Sequence, residues 1–225
     1  MEAKQSYRPA PLRLGKPTEP PLDNAWKIEL KGMTPMTEAA LDYLALRGIS
    51  EELARACDLM SHELWQPAGI TYPAALLFPL RRPDGALVAT HGRYLVKSGE
   101  KKCKTAGSLT RGVFSTPGGL DADPLIITEG PFDALSYAQC GYPAVALVGV
   151  AWGDWLPRYC AFRTVYVALD NEASGEAPSQ VLGEELRGRG ATPLRLRSQL
   201  KDANDDLIAL GERKMRNMLD GLLKR

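Results

Sequence analysis

The sequence has little of what a zinc-binding protein needs. Its 225 residues include only four cysteines and two histidines, and no two cysteines form a Cys-x-x-Cys pair. A structural zinc site takes four such ligands, usually at close spacing, so we expect no zinc. Scattered cysteines of this kind are typical of reduced thiols, which predicts a cytoplasmic location.

Long apolar runs and an excess of charge of one sign are also lacking. No apolar run is long enough to span a membrane, and the N-terminus has no apolar signal region, so we expect no membrane contact. Lysine and arginine total 28 against 27 aspartates and glutamates, a net charge of +1. Any surface that binds nucleic acid must therefore be local. The 44% hydrophobic content is ordinary for a soluble protein with one or two buried cores.

An apolar segment that ends in an acid lies near the middle of the chain. The run from Leu125 to Ile127 has the length of a strand, Glu129 follows it, and a Gly-Pro turn leads into a helix with Asp133 in its first turn. Ligands of open α/β sheets bind at the carboxyl ends of strands, which favours a chemical role for Glu129. The alternative is a solvated strand end followed by an acid that the helix dipole stabilises.

A second segment repeats this arrangement about forty residues later. The β-branched run from Thr164 to Leu169 is typical of a buried parallel strand, and Asp170 and Glu172 follow it. Two residues apart in extended chain, these carboxylates project to the same side, whereas Asn171 turns away. Crowded carboxylates repel unless a cation lies among them, and oxygen ligands suit Mg²⁺ or Mn²⁺.

A third acidic cluster follows another strand-like run, Thr192 to Leu196. The segment from Lys201 to Asp206 directly precedes an amphipathic helix that we expect to run from Ala203 to Leu222. Asp202 is a good N-cap residue, with Asp205 completing a partial capping box. Capping and metal binding can coexist in one carboxylate, so both interpretations stay open.

Together, Glu-Gly-x-x-Asp, Asp-x-Glu and Lys-Asp-x-Asn-Asp resemble the Toprim domain of bacterial DnaG-type primases, topoisomerases and certain nucleases. The resemblance covers Pro124 to the C-terminus and implies an α/β fold, a mostly parallel four-stranded sheet flanked by helices. It implies Glu129 as general acid/base or metal neighbour, catalytic roles for Asp170 and Glu172 as well, and more than one Mg²⁺ or Mn²⁺ ion. The implied metal-site residues are Glu129, Asp133, Asp170, Glu172 and Asp202. Two positions depart from the family: Glu172 replaces the usual Asp, and Asn204 replaces a frequent acid.

The first half of the chain predicts a smaller α+β subdomain. We expect a flexible, proline-rich tail over residues 1–35, the subdomain over 36–121 and the Toprim domain over 122–225. Helical patterns begin at Thr37 and at Ser50, two good N-caps. The turn at Arg82 to Gly85 then predicts a hairpin.

A basic segment that we read as a loop follows this hairpin. Charge runs are usually solvated surface, but here the pattern resembles the N-terminal half of the DnaG-type RNA polymerase core. That resemblance implies that the residues hold template and nucleotide phosphates, a role suited to Lys and Arg. The candidates are Arg93, Lys97, Lys102, Lys104 and Arg111.

The resemblance implies a small primase of the phage or mobile-element type, without a zinc-binding domain. Its partners would be a single-stranded DNA template, ribonucleoside triphosphates, and a replicative helicase or template-recognition protein on a separate chain. Two alternatives stay open: a metal-dependent Toprim nuclease, and a replication module that binds single-stranded DNA but has lost catalysis.

Overall fold

The computed structural model describes residues 24–65, 74–98 and 101–223. Of the predicted tail, residues 1–23 lie outside the described part. The rest of that segment is not a tail, because Ala25–Leu30 form a 3₁₀ helix and Met33–Thr34 pair with a strand of the first sheet. The apolar side chains of Trp26, Leu30 and Met33 pack against one of the buried clusters, which explains why this segment is ordered.

The first sheet is antiparallel and is flanked by two short helices. Its strands, in spatial order, are β1 (Met33–Thr34), β2 (Met60–His62), β3 (Ala75–Arg81), β4 (Leu87–Ser98) and β5 (Lys101–Gly107). The helices are α1 (Glu38–Leu46) and α2 (Glu51–Ala56). Both predicted N-caps are confirmed, since the side chains of Thr37 and Ser50 accept bonds from the backbone N–H groups three residues later.

The prediction of a basic loop after the hairpin is wrong. β4 continues to Ser98, and Lys101–Gly107 return along it as β5, with Arg93 paired to Cys103 and His91 paired to Thr105. β5 lies at the edge of the sheet, where lysines discourage pairing with other chains. Such a lysine-rich edge strand lacks the apolar alternation from which strands are recognised.

The second sheet has the predicted mostly parallel arrangement. Its strands, in spatial order, are β10 (Thr192–Arg195), β9 (Thr164–Ala168), β7 (Leu125–Thr128), β8 (Ala144–Ala146) and β6 (Phe114–Ser115). The first four are parallel, and β6 pairs antiparallel with β8. This sheet therefore begins before residue 121, where we placed the boundary between the two domains.

Five helices accompany the second sheet. They are α3 (Pro131–Gln139), α4 (Trp155–Tyr159), α5 (Ala173–Gly188), α6 (Ala203–Leu210) and α7 (Glu212–Leu223). The single C-terminal helix that we predicted is two helices, because Gly211 adopts φ 75° between them. Glycine reaches that left-handed region without a steric penalty, and it ends α6.

The two sheets share one buried core and one direct backbone connection. Leu44 and Phe78 of the first half belong to the same buried cluster as Ile126 and Leu207 of the second. Arg81 and Val113 exchange two backbone hydrogen bonds of 2.9 and 3.0 Å. The fold is thus a mixed α/β arrangement in which the two sheets enclose a cleft. Within the described ranges, no helix is long and apolar enough to cross a membrane.

Candidate active site

A cleft of about 510 Å³ lies between the two sheets and is lined by residues of both halves. The second half contributes three of the predicted acids, Glu129, Asp133 and Asp202. The first half contributes two of the predicted cations, Arg93 and Lys102. The cleft therefore brings carboxylates and cations together across the junction of the sheets.

Glu129 follows the last residue of β7 and is held there by its own backbone. Its carbonyl oxygen accepts hydrogen bonds from the N–H groups of Val148 and Gly149 at 2.9 and 3.1 Å. Its Oε2 atom is buried and has no hydrogen-bond partner within the part of the chain that the structure describes. Burial, and next the neighbouring carboxylate of Asp170, raise the pKa of Glu129.

Asp133 lies in the first turn of α3 and is buried between two backbone amides. Its Oδ2 accepts from the N–H of Gly130 and its Oδ1 from the N–H of Asn204, both at 3.2 Å. Burial, and then repulsion from Asp202 and Asp170, raise the pKa of Asp133 to about 8. Asp133 therefore connects α3 to α6, and a cation nearby would offset the repulsion that it experiences.

The two acids that follow β9, Asp170 and Glu172, lie in different surroundings. Asp170 is half-buried and lies beside Glu129 without being among the residues that line the cleft. Burial, and then the charge of Asp202, raise its pKa. The side chain of Glu172 is 57% exposed, and its Oε2 lies 3.5 Å from the Nζ of Lys201. Glu172, which we predicted as a metal ligand, forms an ion pair at the surface in this structure, and its negative charge raises the pKa of Lys201.

Asp202 caps a helix and also faces the cleft, where it stays a candidate metal ligand. Its carboxylate accepts a hydrogen bond of 2.8 Å from the N–H of Asp205 and so caps α6. The same residue lines the cleft. The capping prediction is confirmed, and the carboxylate still has lone pairs directed to other partners.

Asn204 has a structural role that explains why an amide replaces an acid. Its Nδ2 donates to the carbonyl oxygen of Arg47 at 2.9 Å and to Ser136 Oγ at 3.0 Å. Its Oδ1 accepts from Arg47 Nη1 at 3.0 Å. A carboxylate has no proton to donate to these acceptors, so this position requires an amide.

The predicted cations are divided between the cleft and other surfaces. Arg93 and its strand partner Cys103 line the cleft, as does Lys102. Lys104 pairs with Gly92, which lies against Trp65 on the opposite face of the sheet. The remaining two candidates are Arg111, in a 3₁₀ turn outside the cleft lining, and Lys97, whose side chain lies outside the described residues.

Sequence reasoning missed a group at the end of α1. The Tyr43 hydroxyl lies 3.2 Å from Arg47 Nη2 and 3.1 Å from Arg93 Nε. Although burial alone would raise the pKa of Tyr43, the two guanidinium groups lower it. The Arg47 guanidinium also stacks over the Phe132 ring at 5.2 Å. The i, i+4 spacing of Tyr43 and Arg47 on a helix was the signal available.

The acids of the cleft form a donor set that suits a divalent cation. Among the residues that the structure describes, no three His, Cys, Asp or Glu side chains are grouped as ready-made metal ligands. However, Glu129 carries an unpartnered buried oxygen, and burial, followed by the charge of nearby acids, raises the pKa of both Asp133 and Asp170. A cation relieves both costs, so these oxygens fit Mg²⁺ or Mn²⁺.

Comparison with known proteins places this cleft in a recognised fold. Residues 126–207 match the family model described as Toprim-like. A search of curated proteins finds no match. The Aquifex aeolicus primase, solved with its zinc-binding and RNA polymerase domains, superposes with a TM-score of 0.63 at 18% identity, over 89% of this chain and 59% of that one.

Two further solved structures are similar. The primase fragment of the bacteriophage T7 primase-helicase gives a TM-score of 0.54 at 20% identity, over 83% of this chain and 79% of that one. A DnaG primase catalytic domain bound to single-stranded DNA gives 0.59 at 19% identity, over 87% and 79%. Residues 126–207 therefore resemble a Toprim-like domain, and the chain has the fold of DnaG-type catalytic cores, which confirms the predicted fold. It spans 59% of the Aquifex chain.

Proposed function

We propose that this chain is a DNA primase that synthesises short RNA primers on single-stranded DNA by metal-dependent nucleotidyl transfer. The observation that carries the proposal is the cleft, in which Glu129 and Asp202 face Arg93 and Lys102. The likeness to primase cores extends over both sheets, 89% of this chain for the Aquifex protein. That extent supports a primase core more than a Toprim domain joined to an unrelated module.

The proposed reaction joins two nucleotides. A 3′ hydroxyl attacks the α-phosphorus of a ribonucleoside triphosphate, a new P–O bond forms, and pyrophosphate leaves with the electrons of the broken bond. If bound by Asp170, Asp202 and Asp133, with Glu129 beside it, Mg²⁺ or Mn²⁺ would supply charge stabilisation to the attacking and leaving oxygens. Glu172 is the weakest of the predicted ligands, because it is exposed and paired with Lys201.

Glu129 is the group best suited to accept the hydroxyl proton. Its Oε2 is buried without a partner in the described chain, so no internal donor competes for it. The pKa of Glu129 is raised towards neutral pH, which makes its carboxylate a stronger base than that of an ordinary surface glutamate. Two backbone N–H groups on the Glu129 carbonyl keep the residue at the rim of the sheet.

Arg47, Arg93 and Lys102 would hold the phosphates of template and nucleotide. All three line the cleft. The phenolic oxygen of Tyr43 bonds to the guanidinium groups of both Arg47 and Arg93 and so keeps these like charges close together. A polyanion entering the cleft would be neutralised by this pair, and Arg can bind phosphate oxygens bidentately.

The partners belong to the same proposal. Of the similar structures, one DnaG catalytic domain was solved bound to single-stranded DNA, and the T7 fragment comes from a primase-helicase. For this chain we propose a single-stranded template, ribonucleotides, and a helicase or template-recognition protein supplied separately, in the cytoplasm.

The decisive experiment is a priming assay with purified protein, single-stranded templates, labelled ribonucleotides and either Mg²⁺ or Mn²⁺. We expect short RNA products that disappear in Glu129→Gln and Asp170→Asn. Metal-dependent cutting of the template without products would indicate the nuclease instead. Arg55→Ala, at an exposed arginine of α2 paired with Glu51, is the control variant that should retain priming.

One observation favours a second candidate, a module that binds single-stranded DNA without catalysis. The described residues contain no ready-made group of three metal-ligating side chains, and Glu172 is engaged with Lys201. In that case template binding would survive both acid-to-amide substitutions and would not respond to Mg²⁺ or Mn²⁺.

A further inference from the structure

Two loops carry acids from neighbouring strands to the edge of the sheet at the cleft, and the strand ladder alone does not fix their spacing. Asp170 lies in the loop that follows β9, and Asp202 in the loop that follows β10. The register of these two parallel strands ends at the pair Val167 and Arg195. Beyond that pair, two backbone hydrogen bonds, from Leu196 N–H to Val167 and from Asn171 N–H to Lys201, join the two segments, and side chains add further bonds between them.

Asn171, between Asp170 and Glu172, connects the first loop to the second. Its Nδ2 donates to the carbonyl oxygens of Ser198 and Leu200 at 2.6 and 2.7 Å. Its backbone N–H donates to the carbonyl oxygen of Lys201 at 3.1 Å. Because carbonyl oxygens only accept, the NH₂ end of the amide must face them, and one side chain holds two carbonyl groups of the second loop.

Arg195, the last residue of β10, makes the reverse connection. Its Nη2 donates to the carbonyl oxygens of Leu169 and Asp170 at 2.9 and 3.2 Å. Its Nη1 donates to those of Val167 and Leu196 at 3.0 and 2.7 Å. The planar guanidinium thus joins four backbone oxygens of both loops, and its contacts with Asp170 go to the backbone rather than to the carboxylate.

The second loop is also held from its far side. The two carboxylate oxygens of Asp206, on α6, accept from the N–H groups of Gln199 and Leu200 at 2.8 Å each. A shift of the first loop is therefore transmitted to the start of α6, where Asp202 is the capping residue.

We propose that Asn171 and Arg195 are positioning residues that set the distance between Asp170 and Asp202 and thereby the affinity of the cleft for a divalent cation. This inference rests on the proposed function in taking these two acids as metal ligands. Neither Asn171 nor Arg195 lines the cleft, and Asp170 itself lies beside the cleft rather than in its lining. Asn171 and Arg195 contact the two loops through backbone groups, so each acts on the acids through the backbone that it holds. Divalent cations demand a defined ligand geometry, which makes affinity sensitive to such spacing.

The test uses Asn171→Ala and Arg195→Met in the full chain, with Arg197→Met as the matched control. Arg197 pairs with Glu176 through two bonds of 2.8 Å, as an exposed neighbour of Arg195 that makes none of the loop contacts. Asn171→Ala keeps the backbone bond to Lys201 and removes an amide whose Oδ1 has no partner in the described chain, so it should fold. Arg195→Lys serves if Arg195→Met does not fold.

Two measurements separate positioning from general stability. We call Asn171 and Arg195 the clamp, and Asn171→Ala and Arg195→Met the clamp variants. Mn²⁺ binding, followed by electron paramagnetic resonance of the free ion, should weaken about tenfold in the clamp variants and stay unchanged in Arg197→Met. Amide hydrogen exchange at position 171 and at Leu200 should accelerate about tenfold in the clamp variants, with or without metal.

The outcomes distinguish this inference from the proposed function. Unchanged Mn²⁺ affinity in folded clamp variants would overturn the positioning role, even if the unsubstituted protein primes normally. If the unsubstituted protein binds no Mn²⁺, the proposed metal-dependent function fails. In that case the hydrogen-exchange rates test only whether Asn171 and Arg195 hold the two loops. Faster exchange at position 171 and at Leu200 in the variants would support that role, and unchanged exchange would overturn it.

Discussion

The two sheets deliver charge to the cleft by different means. In the parallel sheet the acids follow strand ends, as Glu129 follows β7 and Asp170 follows β9. In the antiparallel half the cations come from the face of β4, the start of β5 and the end of α1, through Arg93, Lys102 and Arg47. Strand direction alone places the acids at one edge, whereas the cations depend on register and on a helix that packs across the junction.

The largest effect should come from removing the acid with the unpartnered oxygen. We expect Glu129→Gln to lower the rate of primer synthesis at least about 100-fold, since the base is lost while the shape is kept. Template binding, measured by fluorescence anisotropy, should change little. The matched variant is Glu172→Gln, at the exposed acid beside Lys201. It should lower the rate of primer synthesis no more than about tenfold. Equal losses in the two variants would contradict the distinction drawn between these acids.

The next effect concerns the contact between the halves. Asn204→Asp should lower the free energy of unfolding by about 2 kcal/mol, because the new carboxylate faces the Arg47 carbonyl and Ser136 Oγ without a proton to donate. Denaturant titration measures this loss. Asn217→Asp, the same change at an exposed site on α7, is the control and should be close to neutral. A stabilised Asn204→Asp with tighter Mn²⁺ binding would show that the position is a vacant ligand site instead.

A third effect is the pH dependence of stability that follows from the burial of His91, on the first sheet at the cleft. Burial, assisted by the charge of Arg93, lowers the pKa of His91 to about 4. The unfolded chain takes up a proton below the ordinary value of 6.5, so stability falls as the pH decreases from there towards 4. As the pH is lowered from about 7.5 to about 5.5, His91 should reduce the free energy of unfolding by about 1 kcal/mol.

His91→Gln is the variant that isolates this contribution. Glutamine does not titrate and can still bond to Thr105 Oγ1, which lies 2.8 Å from His91 Nδ1. The difference in unfolding free energy between the two proteins should therefore depend on pH in the acidic range and be constant above neutrality. A difference that does not vary with pH would show that the folded protein protonates His91 normally.

The smallest effect should come from a single cation. Arg93→Ala should weaken binding of single-stranded DNA about fivefold at moderate salt and reduce the salt dependence by about one unit of slope. Arg55→Ala, outside the cleft, should leave both unchanged. Fluorescence anisotropy over a series of salt concentrations measures the two quantities together.

The acidic part of the cleft was largely predictable from sequence. The order of strands and acids placed Glu129, Asp133 and Asp202 in one site, because parallel strands end at the same edge. What the sequence did not reveal was that Glu172 would pair with Lys201. Alternation predicts which side of a strand a residue takes, but Glu172 lies beyond the strand, at the N-cap of α5.

The basic part was harder to predict because its determinants are not local. β5 lacks apolar alternation, so the residues from Lys101 read as a loop, and the faces taken by Arg93 and Lys104 could not be assigned without the register. Arg47 reaches the cleft only because α1 packs against the second half through Asn204, 157 positions away in sequence. Contacts of that range leave no periodic signal.

The shared core of the two sheets limits how such proteins can exchange parts. Leu44 and Phe78 are buried in one cluster with Ile126 and Leu207, so a fragment that starts near residue 122 would expose a large apolar surface. Recombination that replaces the first half must therefore supply matching side chains for α3 and α6. In this molecule the acids of the second half and the cations of the first half depend on one shared core.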